Sequence, residues 1–333
     1  MRTITNDLTA ARARLPRLLL PLALLFASAS AAEPMAIGIS TQPSAALLQI
    51  AAERGLFAAE GIDAKISRYP SGKRAMLEGL FAGKADVVSA ADTPVVANAF
   101  SRQDFAVIAA IFRADDVNSI IARRDAGIAA PADLRGKTVG TQERSAVHYF
   151  LHLFLSKHRI PHDELTVKFY KAEALPAALA TGEIDAFSMR EPFIGHAQAL
   201  IGDNAVVFKE PRLFPQYELL LVRRDYLRAH PDAVRGLLRA LARAAIVMHD
   251  DADVGTALIG RFIGTNVDQV ARALDGWRPR LFLDQAMLLA MEFEAEWIID
   301  DALTDQRRIP NLLRIIDPAP LAEIDPDAVT INR

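Results

Sequence analysis

The chain has 333 residues, 51% of them hydrophobic and 24% charged, the balance of a globular protein of about two domains at roughly 150 residues each. A net charge of −3 excludes the broad basic footprint of a nucleic-acid-binding protein. The absence of cysteine excludes disulfides, thiolate zinc sites, iron–sulfur clusters, cysteine nucleophiles and a lipidated-cysteine anchor.

Residues 1–32 read as a signal peptide. Arg2, Arg12, Arg14 and Arg17 form a basic leader, Leu18 to Ala27 a short apolar stretch, and Ala29-Ser30-Ala31 a small-x-small cleavage signal. The apolar stretch is too short to span about 30 Å of hydrocarbon. The expected product is a periplasmic protein cleaved near Ala31/Ala32 and not embedded in a membrane. It needs no oxidative folding.

Strands and helices then alternate. Ala36 to Ser40 is a strand, followed by polar Thr41-Gln42-Pro43-Ser44 and a helix stopped at Gly55. Ile62 to Tyr69 is a strand, and Ser71-Gly72 opens a helix that closes at Gly83. Ala85 to Ala90 is a strand, Asp92-Thr93-Pro94 opens a helix with proline in its first turn, and Phe105 to Ile111 is a strand. A second block repeats the pattern. Its strands are Thr138 to Gly140, Leu165 to Tyr170 and Ile184 to Ser188, its helices follow Ser145 and Ala174, and Arg190-Glu191-Pro192 starts a further helix. The strand Glu218 to Val222 follows, and amphipathic helices dominate from Asp225. This order predicts α/β architecture, with mostly parallel sheets covered by helices. Extended segments near Val117–Ala122 and Glu218–Val222 are expected to join two lobes.

Polar residues gather at the strand-to-helix junctions. In open parallel sheets that edge is where ligands bind, because helix N-termini present unpaired N–H groups there. The junctions are Thr41-Gln42, Ser71-Gly72, Asp92-Thr93, the loop Thr141-Gln142-Glu143-Arg144-Ser145, and Arg190-Glu191. Serine and threonine at such places also serve as ordinary caps. Capping does not call for Arg113, Arg144 and Arg190 at equivalent strand ends, so these are candidate partners for an anionic group.

Catalytic patterns are missing: there is no G-x-S-x-G, phosphate loop, H-E-x-x-H or dinucleotide fingerprint. His148 and His152 are four apart, as are His158 and His162, but no carboxylate is patterned to complete a metal site. Neither a metal, a cofactor nor an enzymatic activity is expected.

The segment AAERGLFAAEGIDAKISRYPSG from Ala51 resembles the start of periplasmic substrate-binding proteins of ABC importers, in the group handling nitrate, aliphatic sulfonates, taurine and thiamine-pyrimidine precursors. Further matches are Leu80 to Asp86, Asp133 to Lys137, Leu179 to Ala186, Glu191-Pro192-Phe193 and His230 to Ala233. The resemblance implies a type II periplasmic-binding-protein fold. One lobe would comprise 33–116 plus 221–333 with the C-terminal helices, the other 117–220, joined by a two-segment hinge. The protein would capture a small anionic or zwitterionic organic solute between its lobes and, as a monomer, deliver it to a permease and its ATPase.

Thr41, Gln42, Ser71, Gly72, Asp92, Thr93 and the Thr141, Gln142, Ser145 loop fall at the family's ligand-contacting positions. Arg144 stands where sulfonate binders often have glycine, and Arg190 where many members have tryptophan. Losing the tryptophan removes an aromatic wall, and gaining arginine offers a bidentate partner for a carboxylate, sulfonate or phosphate. Asp92 or Glu191 would hold an ammonium or ring N–H. The alternatives are a binding protein for a thiamine pyrimidine precursor and a sensory module without a permease. Eukaryotic pyrimidine-precursor synthases share the fold but carry a cysteine-rich motif that this chain lacks.

Overall fold

The computed structural model describes residues 32–274 and 277–332, so the expected leader, Ala32 apart, lies outside the described residues. The first block runs β1 (Glu33–Ser40), α1 (Ala46–Glu53), α2 (Leu56–Ala59), β2 (Ile62–Tyr69), α3 (Gly72–Arg74), β3 (Val87–Ala91), α4 (Asp92–Ala99) and β4 (Phe105–Ala114). Helix α3 widens into a π-helical stretch, Ala75–Leu80. The second block runs β5 (Asn118–Arg123), β6 (Thr138–Thr141), α5 (Ala146–Lys157), β7 (Thr166–Phe169), α6 (Leu175–Thr181), β8 (Ala186–Arg190), α7 (Phe193–Ile201) and β9 (Ala205–Lys209). The chain ends with β10 (Gln216–Arg223), α8 (Arg224–Ala229), α9 (Pro231–Asp250), α10 (Ala252–Ile263), α11 (Val267–Ala273), α12 (Gln285–Asp300) and α13 (Ala319–Ala322).

Two five-stranded sheets result, ordered β2-β1-β3-β10-β4 and β7-β6-β8-β5-β9. In each, the first three strands pair in parallel and the fourth runs antiparallel to both neighbours. The sequence leads to this arrangement through burial. Strand β3 (VVSAA) is buried at every position, as a central strand covered on both faces must be. Edge strand β2 (IDAKISRY) is largely exposed or half-exposed. Helix α9 buries Val234, Leu237, Leu238 and Leu241 along one face, the spacing of an amphipathic helix, with Pro231 at its first turn. The C-terminal segment covers β4 through single bridges from Phe282 to Ala110 and from Ile316 to Val107.

Three sequence expectations change here. The segment Val117–Ala122 is not a plain joiner, since Asn118 onward is strand β5 of the second sheet. The boundary expected at 220 falls inside β10, which pairs with β3 and β4 in the first sheet. The two crossings between sheets are therefore 115–117 and 210–215. Arg190 does not start a helix but ends β8, paired with Asn118, and the helix begins at Phe193.

Candidate functional site

The parallel strands of each sheet end, and β5 and β10 begin, toward the seam between the lobes, where buried polar residues collect. Arg190 reaches inward from the last position of β8 and is buried. Its Nη2 donates to Gln42 Oε1 at 3.0 Å, and its Nη1 donates to Gln216 Oε1 at 3.0 Å. Gln42 sits in the loop after β1 and Gln216 opens β10, so a side chain of the second lobe is held by two residues of the first sheet's strands and loops. Asn118 Nδ2 donates to the same Gln216 oxygen at 3.0 Å. Arg190 Nε, Gln42 Nε2, Gln216 Nε2 and Asn118 Oδ1 are buried with no hydrogen-bond partner among the described residues. Buried polar atoms are normally satisfied, so four open valences on one chain of hydrogen bonds mark a place where further polar atoms bind.

Behind Arg190 lie carboxylates. Glu218, in the otherwise apolar run of β10, is buried and accepts from Ser89 Oγ at 2.8 Å and Ser44 Oγ at 3.0 Å. Burial raises its pKa, and the hydroxyl hydrogen bonds and the Arg190 charge pull the other way. Asp92, the first residue of α4, accepts the backbone N–H groups of Thr93 and Tyr217, each at 3.0 Å. Burial pushes its carboxyl up to about 7 against those hydrogen bonds. The Thr93 hydroxyl donates to Glu294 Oε1 on α12 at 2.7 Å. Burial and the nearby Asp92 carboxylate raise the Glu294 pKa well above the usual range, because two acids so close cannot both ionise cheaply.

A cavity of about 80 Å³ opens beside Arg190, lined by Gln42, Ser44, Ser119, Lys209 and Arg272 among others. A wider cleft of about 380 Å³ shares Glu191, Lys209 and Arg272 with it and takes in Thr41 and His196. Arg190, Lys209 and Arg272 thus converge on this mouth with two carboxylates, Asp116 and Glu191, the latter also accepting the Gly195 N–H at 3.1 Å.

The remaining expected site residues separate. Arg113 is half-exposed, pairs with Asp115 at 3.1 Å and lies 5.9 Å from the centroid of the Tyr217 ring, apart from the Arg190 cavity. Arg144 also points out, carried by a loop residue at φ 49°, with Glu143 as its neighbour. Ser71 caps α3 by accepting the Arg74 N–H at 3.3 Å, and with Gln142 it lines a separate cleft of about 280 Å³ between the lobes. There Lys73 donates to the Glu143 carbonyl across the seam. Ser145 donates to the Gln142 carbonyl at 2.7 Å, and Thr141 is buried with its hydroxyl unpartnered. Gly72 sits where a Cβ would lie 2.8 Å from Ala90 Cα and 2.9 Å from Ser89 O, so only glycine lets α3 approach β3 and Glu218. Gln216, Glu218, Glu294, Lys209 and Arg272 were not singled out in sequence. Glu218 had a signal, an acid in an apolar strand. Glu294 is one of three alternating acids in EFEAE and had none.

Two α/β lobes, joined by two short crossings and with a polar seam between them, define a periplasmic-binding-protein fold. The chain belongs to the NMT1/THI5-like family, whose model matches residues 42–253. It is similar to a putative aliphatic sulfonates-binding protein of Bacillus subtilis (strain 168), at 27% identity over 221 residues, covering 65% of this chain and 66% of the relative. A second such protein, from Escherichia coli (strain K12), is 23% identical over 257 residues, 76% of this chain and 80% of the relative. Among solved structures, the alkanesulfonate-binding protein SsuA from Xanthomonas axonopodis pv. citri bound to MOPS superposes with a TM-score of 0.73 at 20% identity, covering 87% of this chain and 99% of that one. The periplasmic nitrate-binding protein NrtA from Synechocystis PCC 6803 gives 0.67 at 14% identity, covering 87% of each chain.

Proposed function

We propose that this protein is the solute-binding component of an ABC importer, exported to the periplasm, which captures a small organic solute carrying an anionic group and hands it unchanged to a permease and its ATPase. The lobes are 33–114 with 216–332, and 118–209. The observation that carries the reading is Arg190, a buried cation held by amides of the opposite lobe with its Nε open, at the floor of a mouth that also presents Lys209 and Arg272. A charged hydrogen bond from such a guanidinium contributes about 1.5–3 kcal/mol. The names of the sulfonate-binding relatives agree with an anionic head group.

Glu191, the carboxylate common to both cavities, would receive a ligand that also carries an ammonium or ring N–H. A zwitterion such as taurine fits this pattern, and a pyrimidine amine is the second reading. Calorimetric titration of taurine, an alkanesulfonate, nitrate, bicarbonate and an aminopyrimidine tests both. Saturable binding of a sulfonate or zwitterion, weakened at least tenfold in Arg190→Gln, is the expected result. Binding of the aminopyrimidine alone, unaffected by Arg190→Gln, would transfer the assignment to the second reading.

A further inference from the structure

The two histidine pairs four residues apart do not act as pairs. The His148 ring packs edge-on against Phe169 and Trp297, each with centroids 5.1 Å apart, and burial pushes its pKa down to about 4. His158 Nε2 meets Glu210 Oε1 at 2.6 Å. The remaining members come together instead. His152 on α5 and His162 in the turn after it have ring centroids 4.9 Å apart, and Asp301, just past the end of α12, joins them. One ligand-type atom from each of the three lies within 4.8 Å of the others. His152 Nδ1 and His162 Nε2 are both buried without a hydrogen-bond partner among the described residues.

Two unpartnered imidazole nitrogens beside a carboxylate make an unusual half-buried cluster but a familiar donor set. Imidazole and carboxylate bind zinc at about 2.0–2.2 Å, which puts tetrahedral ligand atoms about 3.4 Å apart. Side-chain rotations of about an ångström would reach that from the observed spacing. Imidazole donors select borderline metals such as Zn²⁺, Ni²⁺ and Cu²⁺, whereas Mg²⁺ and Ca²⁺ prefer all-oxygen shells. We propose that His152, His162 and Asp301 form a site for a Zn²⁺-class divalent cation, with water at the fourth position, that clamps the second lobe to the C-terminal helix. The clamp spans the seam. Helix α5 belongs to the second lobe, and α12 is tied to the first by the Thr93–Glu294 hydrogen bond. Trp297, one turn before Asp301, lies over His152 with centroids 6.0 Å apart.

The test uses the purified protein without a polyhistidine tag, stripped with chelator and titrated with Zn²⁺ by calorimetry and with Co²⁺ by visible absorption. The expected result is one equivalent of Zn²⁺, a tetrahedral Co²⁺ band and quenching of tryptophan emission by Co²⁺. His162→Ala should weaken Zn²⁺ binding at least 100-fold and Asp301→Asn about tenfold, with His249→Ala unchanged. His162→Gln, in an exposed turn, stands in if the alanine variant fails to melt cooperatively. The proposal is overturned if the wild type takes up no Zn²⁺, or if the uptake survives in both His162 variants. The readout is metal uptake, so it stands or fails apart from the solute assignment.

Discussion

The two lobes bring buried charges of opposite sign to the seam. The first contributes Asp92 and Glu218, with Glu294 from the helix packed on it, and all three are buried. The second contributes Arg190, buried and bonded only to neutral amides. Neither face is comfortable alone, since an unpaired buried charge costs several kcal/mol. Together each lowers the other's cost, and the Glu218 and Asp92 charges work against the desolvation that lowers the Arg190 pKa. The seam is therefore an electrostatic match between the lobes, and under the proposed function a guest would compete for the same partners.

Breaking the match from the cationic side should have the largest effect. Arg190→Ala removes the charged hydrogen bonds to Gln42 and Gln216 and is expected to lower stability by about 1.5–3 kcal/mol in urea unfolding, with Arg190→Lys recovering part of it. Next comes Gly72→Ala, which forces a methyl against the backbone of Ala90 and should cost about 1–3 kcal/mol by the same measurement.

The acid face can be sharpened through pH. The folded state keeps a proton on Asp92 up to about 7, whereas an unfolded Asp releases it near 3.8. Between those values the native state binds more protons, so this contribution to stability is full below the unfolded pKa and is lost as pH rises through 7. Asp92→Asn removes the cost of ionisation but keeps an acceptor for only one of the Thr93 and Tyr217 N–H groups, which bond to different oxygens of Asp92. Its Tm relative to the wild type's should therefore rise by about 2–4 °C between pH 5.5 and pH 8. The smallest effect is expected from Arg144→Ala, within about 0.5 kcal/mol in stability, because that side chain is half in solvent and its nearest charged partner, Glu143, is 3.9 Å away.

Much of the fold was legible because its signals are local. The strand Ile62–Tyr69 and the helix after Ser145 declare themselves through period and stop residues. The site was legible only in part. Arg144 and Arg190 look alike in sequence, each at a strand-to-helix junction. One is turned out by a left-handed backbone, and the other is held in β8 register opposite Asn118. That difference is tertiary, as is the meeting of Asp92 with Glu294, separated by most of the chain. Likewise His152 and His162 straddle the helix end, so helical spacing alone pairs each with the wrong neighbour.

The connections at 115–117 and 210–215 are both short and are joined by a hydrogen bond from the Arg212 N–H to the Asp115 carbonyl at 3.0 Å. A double strap of this kind resists twisting and sliding while leaving one soft bending coordinate. Spin labels placed on α7 and α11, on either side of the mouth, should then report two discrete separations rather than a smear. Lengthening the 210–215 strap with glycines would blur them while leaving the residues that line the Arg190 cavity unchanged.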